Sequence, residues 1–273
     1  MIYRARFGGD IVAEFAVPTR RGGRVIVLFD GMPSLPRKQP LMAWLAARGF
    51  WVIYPRWRGC WESGGEFLRE SPEMDLSTVL DELPRGLRDP AFGQFFRLTP
   101  KHVYVIGGSF GGTAALLAAL DPRVDKVVAN CPVVDWKALA AKPSKETSNP
   151  SYVAFLRDAF GCGYRLSARN WSKLSTGRFF NPAAHTGELD GAKILMFHAQ
   201  DDPYIPWRGV ERFARSTGAR LRLLPTGGHI RTELILHRYW RTISGFLMTP
   251  TPPSKTPPHG ARPSTRPRPG AAS

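Results

Sequence analysis

Cysteine is scarce in this chain, with three residues among 273. Cys60, Cys131 and Cys162 are odd in number and far apart, and their spacing matches neither a disulfide framework nor a metal cluster. We therefore expect free thiols, a reducing compartment and a cytoplasmic location, with neither a metal nor another cofactor.

Long apolar runs are also missing, and no segment is long or apolar enough to cross a membrane. The first residues, Met-Ile-Tyr-Arg-Ala-Arg-Phe, contain no hydrophobic signal region. No segment repeats internally. The sequence therefore predicts neither a membrane span nor a repeat architecture.

Acidic residues are few, since 22 Asp and Glu stand against 38 Lys and Arg and leave a net charge of +16. The arginines are scattered through every segment and form neither a compact basic stripe nor a nucleic-acid module, so we expect no specific nucleic-acid partner. Part of the excess lies in residues 249–273, which are rich in Pro, Ser, Thr and Arg. We predict that this tail is disordered because it has too few apolar side chains to form a core.

Residues 1–248 alternate between apolar strands and amphipathic helices, which predicts one α/β domain with a mostly parallel sheet, an antiparallel start and helices on both faces. The eight expected strands lie near 3–7, 11–17, 25–30, 51–54, 103–106, 126–131, 193–198 and 220–224. The expected helices lie near 38–48, 73–83, 111–120, 207–216 and 233–247. The alternation breaks over about 136–185, where aromatic residues among basic ones predict a helical cap insertion.

A Gly-x-Ser-x-Gly pattern places Ser109 between an apolar strand and an Ala/Leu-rich helix. This context is typical of a nucleophile elbow, a sharp turn that lifts a serine hydroxyl clear of the sheet. Glycine is required on both sides because a side chain there would collide with the neighbouring strand or helix. The pattern predicts that Ser109 is a nucleophile.

An activated serine needs a base and an acid, which in this arrangement follow later strands in the order serine, acid, histidine. His229 follows the strand at 220–224 and two glycines that let the loop fold back over the sheet edge. Asp201 and Asp202 follow the strand at 193–198, and Asp135 follows the strand before that. All three aspartates are candidates for the acid.

Backbone N–H groups of an oxyanion hole are expected from two places. One donor is the residue directly after the nucleophile, Phe110, and the other lies in the loop after the strand at 25–30. Met32, after Gly31, is the better candidate in that loop.

Several motifs in the same order give the chain a resemblance to α/β-hydrolases of the prolyl oligopeptidase type, over about residues 3–247. They are Tyr54-Pro55-Arg56-Trp57-Arg58-Gly59, Glu62-Ser63-Gly64-Gly65-Glu66-Phe67, Gly107-Gly108-Ser109-Phe110-Gly111-Gly112, His198 to Pro206, and Gly228-His229. The resemblance implies an α/β-hydrolase fold and a Ser109–His229–Asp202 triad, because Asp202 aligns with the acid of that family.

One position departs from this pattern. Such hydrolases usually have His-Gly at the oxyanion loop, whereas this chain has Asp30-Gly31. A carboxylate there opposes an oxyanion unless it is neutralised. We expect Asp30 to pair with Arg56 or Arg58, which follow the next strand.

Three further residues are candidates for substrate binding. Glu62 and Glu66 lie in the loop after the fourth strand and are expected either to bind a substrate ammonium or to pair with nearby arginines. Trp136 and other aromatic residues of the cap are expected to pack together or to line an apolar pocket.

The sequence thus predicts a serine hydrolase that cleaves a small-molecule ester or a short peptide through an acyl-enzyme, as an esterase or a peptidase. A homo-oligomer is left open. The alternative is a non-catalytic α/β-hydrolase scaffold that binds a small ligand or an anionic partner, and Asp30 is the feature that favours it.

Overall fold

One eight-stranded sheet organises the chain in a computed structural model that describes residues 1–20, 22–141 and 151–250. Its strands are β1 Ile2–Phe7, β2 Ile11–Ala16, β3 Arg24–Phe29, β4 Trp51–Pro55, β7 His102–Gly108, β8 Lys126–Asn130, β9 Ile194–Ala199 and β10 Arg220–Leu224. The order across the sheet is β1-β2-β4-β3-β7-β8-β9-β10. The first two strands pair antiparallel, β2 pairs antiparallel with β4, and every later pair is parallel. The eight-stranded, mostly parallel sheet with an antiparallel start is confirmed.

A small antiparallel hairpin was not predicted. It consists of β5, Leu87–Arg88, and β6, Phe95–Phe96. Two residues a strand are too few to show an alternating pattern, so nothing in the sequence distinguishes them from a loop.

Helices cover both faces of the sheet. They are α1 Gln39–Ala46, α2 Glu73–Glu82, α3 Phe110–Ala118, α4 Trp136–Ala140, α5 Ser151–Phe160, α6 Ala168–Ser172, α7 Trp207–Thr217, α8 Thr232–Arg238 and α9 Trp240–Met248. On β3, Val25 and Val27 belong to one buried cluster with helices α2, α3 and α7, whereas Ile26 and Leu28 belong to a second cluster with α1, α8 and α9. The two clusters lie on opposite faces because side chains alternate along a strand.

The helix expected at 233–247 is two helices, because the chain leaves helical geometry at Tyr239 with φ −114° and ψ 23°. No described helix is long and apolar enough to cross a membrane.

The segment expected to form a cap contains α4, α5, α6 and several short 3₁₀ turns between β8 and β9. The loop after β4 holds this segment in place through backbone hydrogen bonds. Trp61 donates to the carbonyl of Gly163 at 3.0 Å, and Phe67 donates to that of Arg165 at 2.8 Å. Residues 142–150 of the segment and 251–273 of the predicted disordered tail lie outside the described residues.

Candidate active site

Ser109 occupies the turn between β7 and α3 in a conformation that few non-glycine residues adopt. Its φ is 55° and its ψ is −117°, so the backbone is strained. The N–H of Ser109 donates to the carbonyl of Asn130 at 2.8 Å, which fixes the turn to the end of β8. This strained turn is where the sequence predicts the elbow.

Steric crowding explains why both residues before Ser109 are glycines. A Cβ on Gly107 would lie 2.0 Å from the carbonyl oxygen of Gly111, and a Cβ on Gly108 would lie 2.1 Å from Oγ1 of Thr232. Both distances are below any van der Waals contact. The turn can therefore pack against α3 and α8 in this arrangement, without displacing either helix or a side chain, only when these positions are glycine.

His229 and Asp202 meet above the carboxyl ends of neighbouring strands β9 and β10. Nδ1 of His229 lies 2.8 Å from Oδ2 of Asp202, whose side chain is fully buried. The ring of Tyr204 packs edge-on against the imidazole with 5.4 Å between centroids. An ionised carboxylate only accepts, so this contact places a proton on Nδ1 and leaves Nε2 to act as an acceptor.

The carboxylate of Asp202 is held ionised by its neighbours. Burial favours protonation, but the hydrogen bond and charge of His229 and the N–H groups of Tyr204 and Ile205 outweigh it, so the pKa of Asp202 is lowered. The thiol of Cys131 lies within 4.8 Å of an oxygen of this carboxylate, and burial together with the nearby negative charge raises the pKa of Cys131 to about 12. Cys131 is therefore a buried thiol.

His198 is a second imidazole near the same carboxylate, with Nε2 3.8 Å from Oδ2 of Asp202. It is fully buried, and Nε2 donates to the carbonyl of Ile205 at 2.9 Å. Burial lowers the pKa of His198, so this ring is neutral. It adds no charge beside Asp202.

The other two candidate acids have structural contacts. Asp201 accepts backbone N–H groups of Gly227 at 3.1 Å and Gly228 at 2.8 Å, so it holds the loop that carries His229. Asp135 caps α4 by accepting the N–H of Ala138 at 3.1 Å. Only Asp202 among the three hydrogen bonds to His229.

Met32 and Phe110, the predicted oxyanion donors, both line a cavity with Ser109 and His229. A Cβ on Gly31 would lie 3.2 Å from Cβ of Ser109, so this loop passes directly beside the elbow. Phe110 is the first residue of α3, where N–H groups lack intrahelical acceptors. The hydroxyl of Tyr164 accepts the N–H of Ser34 at 2.8 Å and so fastens the loop from the cap, a contact that no sequence pattern indicated.

The expected pairing of Asp30 with Arg56 or Arg58 is wrong. Oδ1 of Asp30 lies 2.9 Å from Nζ of Lys38, and Oδ2 accepts the hydroxyl of Tyr54 at 2.8 Å. The arginines have other partners, because Arg56 pairs with Glu14 and Glu62, and Arg58 pairs with Asp10 and Asp75. The prediction relied on Asp30 and the arginines following neighbouring strands at the same edge of the sheet. It failed because each arginine has its own carboxylate partners on β2 or in a nearby loop or helix.

Lys38 also pairs with Glu233 at the start of α8. Burial opposes the charge of Lys38, but the two carboxylates outweigh burial and its pKa is raised. The same contact outweighs burial at Glu233 and lowers the pKa of that carboxyl. Lys38 and Glu233 therefore stay charged, and one lysine is shared by two carboxyl groups.

Ser109 and His229 both line each of two cavities formed by described residues. We call the first the aromatic cavity: its volume is about 560 Å³ and its walls include side chains from the cap. We call the second the polar cavity: its volume is about 400 Å³ and its walls are the loop after β3 and the start of α8. The cap side chains of the aromatic cavity are Trp136, Leu139, Tyr152, Phe155 and Trp171.

The structure brings Trp136 to the site but not the two glutamates. Glu62 lies 3.2 Å from Nη2 of Arg4 and 3.4 Å from Nε of Arg56, while Glu66 accepts from Nδ2 of Asn170 at 3.2 Å. Neither lines the aromatic or the polar cavity. Of the two expected roles, pairing with arginines therefore applies to Glu62. Neither glutamate lines a cavity with Ser109.

The sequence model of the alpha/beta hydrolase family matches residues 33–239, which is more than half of the chain. The chain belongs to the α/β-hydrolase family. The α/β-hydrolase family expected from the motifs is thereby confirmed.

Several solved structures are similar to this chain in fold. The Pyrococcus furiosus esterase Pf2001 superposes with a TM-score of 0.65 at 16% identity, over 91% of this chain and 89% of the esterase. A soluble variant of monoglyceride lipase from Saccharomyces cerevisiae gives 0.60 at 16% identity, over 91% and 96%. The Pyrococcus horikoshii acylaminoacyl peptidase gives 0.63 at 14% identity, over 93% of this chain but 42% of the peptidase.

Proposed function

We propose that this α/β-hydrolase is a serine hydrolase that cleaves an ester or amide bond through an acyl-enzyme on Ser109. The observation that carries the proposal is the 2.8 Å contact between His229 Nδ1 and Asp202 Oδ2 in a site where His229 shares two cavities with a strained Ser109. The esterase, lipase and peptidase folds that resemble the chain are consistent with it.

In the proposed mechanism, Oγ of Ser109 attacks the substrate carbonyl while Nε2 of His229 takes the hydroxyl proton. The Ser109 oxygen–carbon bond forms, and the carbonyl oxygen gains negative charge, which the N–H groups of Phe110 and Met32 stabilise. His229 then gives its proton to the departing alcohol or amine as the bond to it breaks. Water repeats the sequence on the acyl-enzyme and releases the acid.

Asp202 holds the imidazole in the tautomer that leaves Nε2 free and stabilises the imidazolium that forms. The pairing of Asp30 with Lys38 supports a catalytic function, since this cation, which Glu233 shares, offsets part of the negative charge that favoured a non-catalytic scaffold. The aromatic cavity suits an apolar acyl or leaving group.

The test is covalent labelling with a fluorophosphonate, located by mass spectrometry. We expect one adduct on Ser109 in the wild type and none in Ser109→Ala or His229→Ala. Ser34→Ala is the matched control, because this serine lines the polar cavity without occupying the elbow, and it should label like the wild type. Circular dichroism verifies that each variant is folded.

A folded wild type that forms no adduct would favour the non-catalytic scaffold instead. Given an adduct, turnover of acyl esters against aminoacyl and dipeptidyl amides separates an esterase from a peptidase.

A further inference from the structure

The polar cavity contains more positive than negative charge. Its charged lining residues are Asp30, Arg37, Lys38, Arg231 and Glu233. Lys38 bridges the two carboxylates, so the acidic groups already have a cation between them. Two arginines remain on the wall of the cavity.

Neither Arg37 nor Arg231 forms a close ion pair with the described part of the chain. No carboxylate oxygen there lies within 4.0 Å of the guanidinium of Arg37 or Arg231. Both side chains are exposed, so water rather than protein solvates them. A ligand that enters the cavity therefore meets two guanidinium groups without first breaking a salt bridge.

A buried acceptor lines the same cavity. Asn130 is 2% exposed, and its Nδ2 donates to the carbonyl of Ile230 at 2.7 Å, which orients the amide. Its Oδ1 has no hydrogen-bond partner among the described residues. This oxygen is itself inaccessible, so a ligand in the cavity contacts the arginines and not the Asn130 acceptor.

The aromatic cavity differs in chemistry, yet Ser109 and His229 line both. A carbonyl attacked by Ser109 has one substituent on each side of the reacting carbon. One cavity has aromatic side chains on its walls and the other has charged side chains, so the two together favour a substrate whose two sides also differ.

We propose that Arg37 and Arg231 bind an anionic group of the substrate, a carboxylate or a phosphate. The substrate is then an ester or amide with an apolar group on one side of the scissile bond and an anionic group on the other. Guanidinium groups suit this because their N–H forks match both kinds of oxyanion. This inference rests on the proposed serine hydrolase function and specifies its substrate class.

The test compares kcat/KM for matched anionic and neutral esters. In the first pair, the butyrate ester of para-hydroxybenzoate carries a charge on its leaving group and its methyl ester is neutral. In the second pair, phenyl hydrogen glutarate carries a charge on its acyl group and methyl phenyl glutarate is neutral. The butyrate ester of para-hydroxyphenyl phosphate distinguishes phosphate from carboxylate.

We expect the wild type to prefer the anionic member of one pair by a factor on the order of 10 in low salt, and added salt to reduce the preference. Arg37→Gln and Arg231→Gln should each reduce that ratio by roughly threefold, and Arg→Lys at the same positions should retain part of it.

Arg24→Gln is the matched control. Arg24 begins β3, at the opposite end of the strand that leads to Asp30, and lines a different cavity. This variant removes the same charge and should leave the ratio unchanged. An equal drop in Arg24→Gln would mean that the net charge of the protein attracts anions, and it would overturn the proposal.

A binding measurement keeps this inference separate from the proposed function. Calorimetry of Ser109→Ala with the amide analogues of the two carboxylate esters needs no turnover. Turnover of neutral esters without any anion preference would overturn the anionic subsite and leave the serine hydrolase standing. If the protein showed no turnover but bound the anionic amides in a way that depends on the two arginines, the anionic subsite would stand and the serine hydrolase function would be overturned.

Discussion

The carboxylate of Asp201 accepts the backbone N–H of Gly228 at 2.8 Å, one residue before His229. A second bond to the N–H of Gly227, at 3.1 Å, makes Asp201 a brace for the histidine loop. Its neighbour Asp202 instead contacts the imidazole. Adjacent aspartates therefore position the same histidine, one through the backbone and one through the ring.

Replacing Asp201 with Ala should lower kcat by a factor on the order of 10, with a smaller change in KM, because a loosened loop misplaces the base. Asp201→Asn keeps an acceptor and should recover part of the loss. Asp190→Ala removes a comparable backbone contact, to Ala192, in a turn before β9 and should change neither constant. Steady-state kinetics checks this, and unchanged kcat in Asp201→Ala would contradict it.

The charge of Lys38 should matter for turnover through Asp30. Lys38→Gln leaves the carboxylate of Asp30 uncompensated beside the oxyanion loop, where it destabilises developing negative charge, so kcat should fall by a factor on the order of 10. The double variant Lys38→Gln with Asp30→Asn should recover much of that activity. If the double variant were as slow as the single one, Lys38 would act on the site in some way other than charge.

The two glycines before Ser109 should respond differently to alanine. Gly107→Ala drives a methyl into the backbone of α3 and should destabilise the fold by more than about 3 kcal/mol. Gly108→Ala meets the side-chain oxygen of Thr232, so its cost should be about 1–3 kcal/mol and should shrink when combined with Thr232→Ala. Chemical denaturation of the single and double variants measures this. Equal rescue of both glycine variants by Thr232→Ala would contradict the steric explanation.

Asp75 should make the protein less stable as the pH rises from about 4 to about 6. Burial raises its pKa from 3.8 to about 6 despite the contact with Arg58 at 2.6 Å. In that window the folded carboxyl keeps its proton while the unfolded one loses it, so the folded state binds more protons and stability falls with pH.

Comparison with Asp75→Asn isolates this effect from the other carboxyls. The free energy of unfolding of the wild type minus that of the variant should decrease by on the order of 2 kcal/mol between pH 4 and pH 7. Urea denaturation at several pH values measures the difference. A difference that rises with pH would show that the pKa of Asp75 is lowered in the folded protein.

The sequence by itself determined the sheet, the elbow and the identity of the family. These depend on local patterns, since side chains alternate along a strand and a turn such as that at Ser109 demands glycine within two residues. Prediction failed at the hairpin β5–β6, where the strands are too short to show a hydrophobic pattern. It also failed at the break between α8 and α9, where the helical pattern continues through the break.

Only the tertiary structure decided how the charged residues pair around the site. Lys38 and Glu233 are 195 positions apart, and no local pattern links them, so Asp30 was assigned the wrong partner. The same holds for the glutamates after β4 and for the polar cavity with its two arginines. A long charged side chain can reach several partners. Which partner it contacts depends on how distant segments pack, and that packing is determined by the whole sequence rather than by a local pattern.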